Sequence, residues 1–129
     1  MYFVIIKLMQ NIKVCLFGGT FNPIHKGHIY FANFVLKTYK FDRLIFIPAK
    51  IPPHKSDTKI VTGNLRLKMI KLALINKKGL TVSDYELKNN VISYSIRTIN
   101  YFKKRFLNVS ILIGMDQCIE FYTWKNYNQ

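Results

Sequence analysis

The chain has 129 residues, half of them apolar, and its 20 Lys and Arg against six Asp and Glu give a net charge of +14. That is enough chain for one domain around one core, too apolar for intrinsic disorder, and without an apolar run of the ~18 residues that a membrane span needs. The charge admits two explanations: an anionic ligand such as a nucleotide or nucleic acid, or the Lys-, Asn-, Ile-, Tyr- and Phe-rich usage of an AT-rich coding sequence.

In chain order, Met1 to Leu8 is apolar but short. It lacks a small-residue cleavage site, so it does not read as a signal peptide, and a cytoplasmic protein is expected. Met9 is an alternative start. Ile12–Phe17 predicts a first strand and Lys26–Tyr39 a helix, with Ile29, Ala32 or Phe31, Val35 and Leu36 at helical spacing. Arg43–Pro48 predicts a second strand. Ala49–Gly63, with Pro52-Pro53, is the one long loop. Asn64–Asn76 predicts a helix carrying Leu67, Ile70 or Met69, and Leu74. Leu80–Asp84 predicts a third strand. Tyr94–Phe106 predicts a helix with Ile96, Ile99, Phe102 and Phe106, and Ser93 as its N-cap. Val109–Ile113 predicts a fourth strand. Short runs rich in Val, Ile, Leu and Phe are typical of buried parallel strands.

The order βαβαβαβ predicts an α/β fold, a Rossmann-like parallel sheet with helices on both faces, as one domain over residues 1–129. Ligands of such sheets bind beyond the carboxyl ends of the strands, where strand order reverses. Gly18–His28, Ala49–Lys55, Asp84–Leu87 and Gly114-Met115-Asp116 all follow strands, which points to one cleft built from four loops. Cys15 lies in the first strand and Cys118 in a late helical stretch. Neither has metal-ligand spacing to another Cys or His, so both are expected as reduced thiols and no zinc site is expected. Lys37, Lys40, Lys71, Lys77, Lys78, Lys103 and Lys104 are scattered rather than clustered, which argues against nucleic acid as the partner. A membrane partner is not expected either, and a homo-oligomer is compatible with these features.

The most informative stretch is Gly18-Gly19-Thr20-Phe21-Asn22-Pro23-Ile24-His25-Lys26-Gly27-His28. A glycine pair after a strand lets backbone approach a phosphate. It is neither the spaced glycine fingerprint of dinucleotide folds nor a P-loop, which ends in Gly-Lys-Ser/Thr. His25 and His28 are three residues apart in the first turn of the following helix. There the helix N-terminus adds partial positive charge, and imidazole donors can stabilise charge growing on a phosphoryl oxygen.

This stretch resembles the signature of the HxGH nucleotidyltransferase superfamily, and within it that of bacterial nicotinate-nucleotide adenylyltransferases. Pro52-Pro53-His54-Lys55 resembles that family's Pro-Pro-His-Lys loop, and Asn64-Leu65-Arg66-Leu67-Lys68-Met69 its Arg-containing helix start. Asp84-Tyr85-Glu86-Leu87 with Ser93-Tyr94-Ser95 resembles its Glu-Leu…Ser-Tyr-Thr segment, and Ile113-Gly114-Met115-Asp116 with Trp124 its Gly-x-Asp…Trp segment.

The resemblance implies adenylyl transfer from ATP to nicotinic acid mononucleotide, giving deamido-NAD and pyrophosphate, without a covalent enzyme intermediate. It implies that His25 and His28 are catalytic and contact ATP phosphates. By the same resemblance Gly18, Gly19, Thr20 and Phe21 give backbone contacts to ATP, and Gly114 and Asp116 hold the adenosine. Asn22, Lys55, Ser95 and Trp124 would bind the second substrate, with Trp124 stacking on the pyridine ring. Mg2+ would accompany ATP rather than occupy a protein cage.

The chain departs from the family pattern at Asn22 and Arg97, where Asp is usual, and at Ser95, where Thr is usual. It also lacks the C-terminal segment with a Ser-Thr-x-x-Arg motif that grips ATP phosphates in the family. Activity below that of a complete enzyme is therefore expected. The alternatives are another HxGH nucleotidyltransferase with a different acceptor, or a nucleotide-binding fragment with little activity.

Overall fold

Seven elements alternate in the computed structural model, which describes residues 11–50, 59–88 and 95–114. They are β1 (Lys13–Gly19), α1 (Lys26–Thr38), β2 (Arg43–Pro48), α2 (Gly63–Ala73), β3 (Leu80–Val82), α3 (Ser95–Lys103) and β4 (Asn108–Leu112). All four strands run parallel in the order β3-β2-β1-β4. The expected Rossmann-like α/β architecture is the one observed. Among the described residues no helix is long and apolar enough to cross a membrane.

Strand alternation divides the apolar side chains between two layers. Cys15, Leu44, Phe46 and Leu80 join Phe21, Ala32, Val35, Ile70 and Leu74, which packs α1 and α2 against one face. Val14, Leu16, Ile45 and Ile47 join Phe102 and Phe106, which packs α3 against the other. Both faces of the central strands are thus dry, which is why β1 and β2 read as continuous apolar runs. The Cys15 thiol is buried at the centre, and loss of water pushes its pKa up to about 11.

The first two crossovers, β1 to β2 and β2 to β3, step one way across the sheet. The third returns past β1 to β4, which puts α3 on the opposite face. Strand order therefore reverses between β1 and β4, and the carboxyl ends of these two strands are where such a sheet is expected to take a ligand.

Several boundaries differ from those expected. The glycine pair does not follow β1 but forms its last two rungs, Gly18↔Ile47 and Gly19↔Pro48. The ladder extends because β2 runs on beside it, and the Ala49 N–H donates to the Gly19 carbonyl at 2.9 Å. β3 stops at Val82 rather than Asp84, since the Tyr85 N–H turns to Ser83 Oγ and the Lys88 N–H to the Asp84 carbonyl. α2 ends at Ala73 rather than Asn76, which has a left-handed φ of 59°. α3 ends at Lys103 rather than Phe106, whose N–H shares the Phe102 carbonyl with that of Arg105. The expected N-cap Ser93, together with Tyr94 and Cys118, lies outside the described residues.

Candidate functional site

β1 delivers Gly18 and Gly19 to the carboxyl edge beside the switch point. Among the described residues a Cβ on Gly18 would meet nothing within 4 Å, so the backbone there is open on that side. Gly19 is different, because a Cβ would come within 3.1 Å of the Phe21 ring. Phe21 adopts a left-handed φ of 48° while its ring sits buried among Phe17, Phe46 and His28. That backbone costs a non-glycine residue about 1–2 kcal/mol. Burying the phenyl ring contributes about 1.5–3 kcal/mol in the other direction, so the ring holds the loop in this shape. β4 ends at Leu112, paired with Phe17, and two residues further on each strand are Gly114 and Gly19. A Cβ on Gly114 would also meet none of the described residues within 4 Å.

His25 is the N-cap of α1, with extended backbone, and His28 lies one turn in. Their rings stack at 3.7 Å between centroids. The His25 backbone N–H donates to His28 Nδ1 at 3.1 Å. Nδ1 is therefore an acceptor, and neutral His28 must carry its proton on Nε2. The imidazole is oriented by its own helix cap, and among the described residues its Nε2–H has no acceptor. The edges of Phe17 and Phe21 border it. Burial, followed by the charge of neighbouring His25, lowers the His28 pKa below its ordinary value. Gly27 leaves room for this pair, since a Cβ there would stand 3.0 Å from His25 Nδ1 and Cε1.

Asn22 is an exposed side chain that joins two loops. Its Oδ1 accepts from the Val61 N–H at 3.1 Å, and its Nδ2 donates to the Lys59 carbonyl at 3.3 Å. Arg66, in α2, is 1% exposed. Its Nε donates to the Val61 carbonyl, and its Nη1 to the Thr20 and Ala49 carbonyls, each at 2.8 Å. Desolvation lowers its pKa. On the far side, Thr98 Oγ1 donates to the buried Glu86 carboxylate and ties α3 to the turn after β3. Tyr85 stacks on Tyr101 at 4.0 Å.

Of the residues expected at the site, Gly18, Gly19, Thr20, Phe21, Asn22, His25 and His28 belong to the one connection from β1 to α1, and Gly114 follows neighbouring β4. Ser95 begins α3. Lys55, Asp116 and Trp124 lie outside the described residues. Among those described, no group of three or more His, Cys, Asp or Glu is placed to hold a metal ion.

Sequence reasoning gave Arg66 no role, although one signal was available. Arg66, Ile70 and Leu74 recur every four residues, which puts the cation on the buried stripe of α2.

A family model described as cytidylyltransferase-like matches residues 16–129. The chain belongs to the cytidylyltransferase-like family. Two relatives named "Probable nicotinate-nucleotide adenylyltransferase" share 40% identity with it. One is from Clostridium novyi, where 119 aligned residues cover 91% of this chain and 60% of the relative. The other is from Caldicellulosiruptor saccharolyticus, with 88% of this chain and 57% of the relative covered. This member thus spans under two thirds of the length of the curated relatives it matches. A solved nicotinic acid mononucleotide adenylyltransferase of Plasmodium falciparum, complexed with NaAD, superposes with a TM-score of 0.73 at 14% identity. It covers 91% of this chain and 58% of the other, and at that identity it establishes the shared fold.

Proposed function

We propose that this site takes part in adenylyl transfer from ATP to nicotinic acid mononucleotide, producing deamido-NAD and pyrophosphate. The observation that carries the reading is the oriented His25–His28 pair at the N-terminus of α1, beside open glycine backbone at the switch point. Helix N-terminus, backbone and imidazole donors converge where a polyphosphate would be neutralised. The 40% identical relatives bear the name of this activity, and the Plasmodium structure carries its dinucleotide product, which supports this acceptor over others.

In this reaction a phosphate oxygen of the mononucleotide attacks the α-phosphorus of ATP. A new P–O bond forms as the bond to the β-phosphate bridging oxygen breaks, and pyrophosphate leaves with the electron pair. No side chain needs to become a nucleophile. The work left to the protein is alignment and charge stabilisation. His28 Nε2–H is a neutral donor for a phosphoryl oxygen, and His25 lies beside it at the helix cap. Gly18 admits the phosphates at van der Waals distance, while Gly19 makes room for the Phe21 ring behind them. Gly114 borders the same cleft, where the adenosine would lie with Asp116. Asn22, Lys55, Ser95 and Trp124 are assigned to the mononucleotide by family likeness, and the Thr20 carbonyl and the Asn22 amide also tie the loop to Arg66 and to Lys59 and Val61.

Mg2+ bound to the ATP phosphates would neutralise charge on the departing pyrophosphate. Its ligands would be phosphate oxygens and water. We place the reaction in the cytoplasm, which suits a buried, reduced Cys15.

Substituting Gly18→Ala tests the phosphate cradle. The methyl meets no atom of the described residues within 4 Å, so the thermal midpoint should stay within about 2 °C of wild type. ATP affinity, measured by calorimetry, should fall at least tenfold. Unchanged affinity would remove the phosphates from Gly18.

A further inference from the structure

We propose that Arg66 is a positioning residue for the phosphate site: from inside the core it turns the Thr20–Phe21 peptide so that its N–H donor faces outward to an anion. The inference rests on the phosphate reading of the site and deepens it.

Guanidinium groups are rarely buried, because the charge loses its water. Arg66 is nonetheless 1% exposed, on the stripe of α2 that packs Ile70 and Leu74 into the core. Among the described residues no carboxylate lies within ion-pair distance of it; the sole such pair is Lys88–Asp84. Its hydrogen-bond partners are instead three backbone carbonyls from three stretches of chain: Thr20 after β1, Ala49 after β2 and Val61 before α2. An apolar side chain would pack there without losing hydration. The rigid donor fork of Arg is needed when several acceptors must be held in fixed relation.

What it holds is a junction. The Val61 carbonyl is fixed by Arg66, and the Val61 N–H is fixed by Asn22. Phe21, between Thr20 and Asn22, is anchored below by its ring. The planar trans peptide then gives the consequence. The Thr20 carbonyl and the Phe21 N–H belong to one unit and point in opposite directions. Because the carbonyl is drawn inward to Nη1, the N–H is directed away from the core. Among the described residues that N–H has no acceptor. A cation on the oxygen side also polarises the unit, making the N–H a stronger donor to a negative ligand. Arg66 thus serves the anion through a peptide rather than by touching it, and a substitution should weaken affinity without altering the histidines.

The test uses inorganic pyrophosphate as probe, with Arg66→Lys and, as a control, Phe106→Leu, which loosens the opposite layer and touches no site residue. Pyrophosphate affinity is measured by calorimetry and thermal midpoint by scanning. Arg66→Lys should weaken pyrophosphate binding about tenfold or more. Phe106→Leu should change it less than twofold at a comparable drop in midpoint. Guanidinium ions added to Arg66→Ala should restore part of the affinity.

Should the variants fail to fold, wild type still answers by NMR. The Arg66 Nε–H and Phe21 amide resonances should both shift as pyrophosphate is added. Affinity loss matched by the control, or two resonances indifferent to pyrophosphate, would overturn the proposal. The acceptor assignment fails separately, if pyrophosphate binds as described and nicotinic acid mononucleotide does not.

Discussion

Protonation of His28 at Nδ1 would remove the acceptor that the His25 N–H now uses, so the cap and the tautomer stand or fall together. Desolvation and then His25 hold the folded-state pKa below the ordinary imidazole value of about 6.5. The unfolded chain therefore takes up this proton first as pH falls through about 6.5. Stability contributed by neutral His28 is fully present above that value and declines toward the lower folded-state midpoint. An NMR titration should place the His28 midpoint below 6.5, and His25→Ala should move it upward. A midpoint at or above 6.5 would contradict this environment. The same residue shows what was legible at this scale. The spacing of His25 and His28 placed both at a helix start, but nothing in the sequence revealed that one caps the other. Arg66, and the bonds that Asn22 makes to the loop before α2, escaped for a related reason, since their partners are backbone carbonyls and amides 17 to 46 residues away or set by a turn.

Among the elements, β1 and β2 were readable because both their faces are covered. Every residue from Leu44 to Pro48 is buried, which leaves an unbroken apolar run. Phe46 is fully buried, with ring centroids 5.2 Å from Phe17 and 5.3 Å from Phe21. Phe46→Ala should therefore destabilise the fold by about 3–5 kcal/mol. A denaturant midpoint within experimental error of wild type would show that the ring is not the anchor described here. Helix ends were less legible. The stops at Ala73 and Lys103 are decided by which carbonyl the next N–H reaches, not by an apolar period. The glycine pair misled in the same way. Glycine reads as a turn, yet here a neighbouring parallel strand keeps it in the ladder.

Across the whole molecule the charge of +14 proves a poor guide to the site. Lys37, Lys71 and Lys103 occupy the last turns of α1, α2 and α3, where cations offset helix dipoles. Those helix ends lie at the amino edge of the sheet, opposite Gly18 and His28. The candidate site is marked by topology, not by cation density. What locates it is the reversal of strand order between β1 and β4, which brings the glycine pair, the histidine cap and Gly114 to one edge. The most direct measurement is pyrophosphate release by the purified chain, given ATP, Mg2+ and separately nicotinic acid mononucleotide, nicotinamide mononucleotide and phosphopantetheine. Release should depend on nicotinic acid mononucleotide, match deamido-NAD one for one, and fall about 10²–10³-fold in His28→Ala. Release sustained equally by another acceptor, none with nicotinic acid mononucleotide, or an unaffected His28→Ala would contradict it.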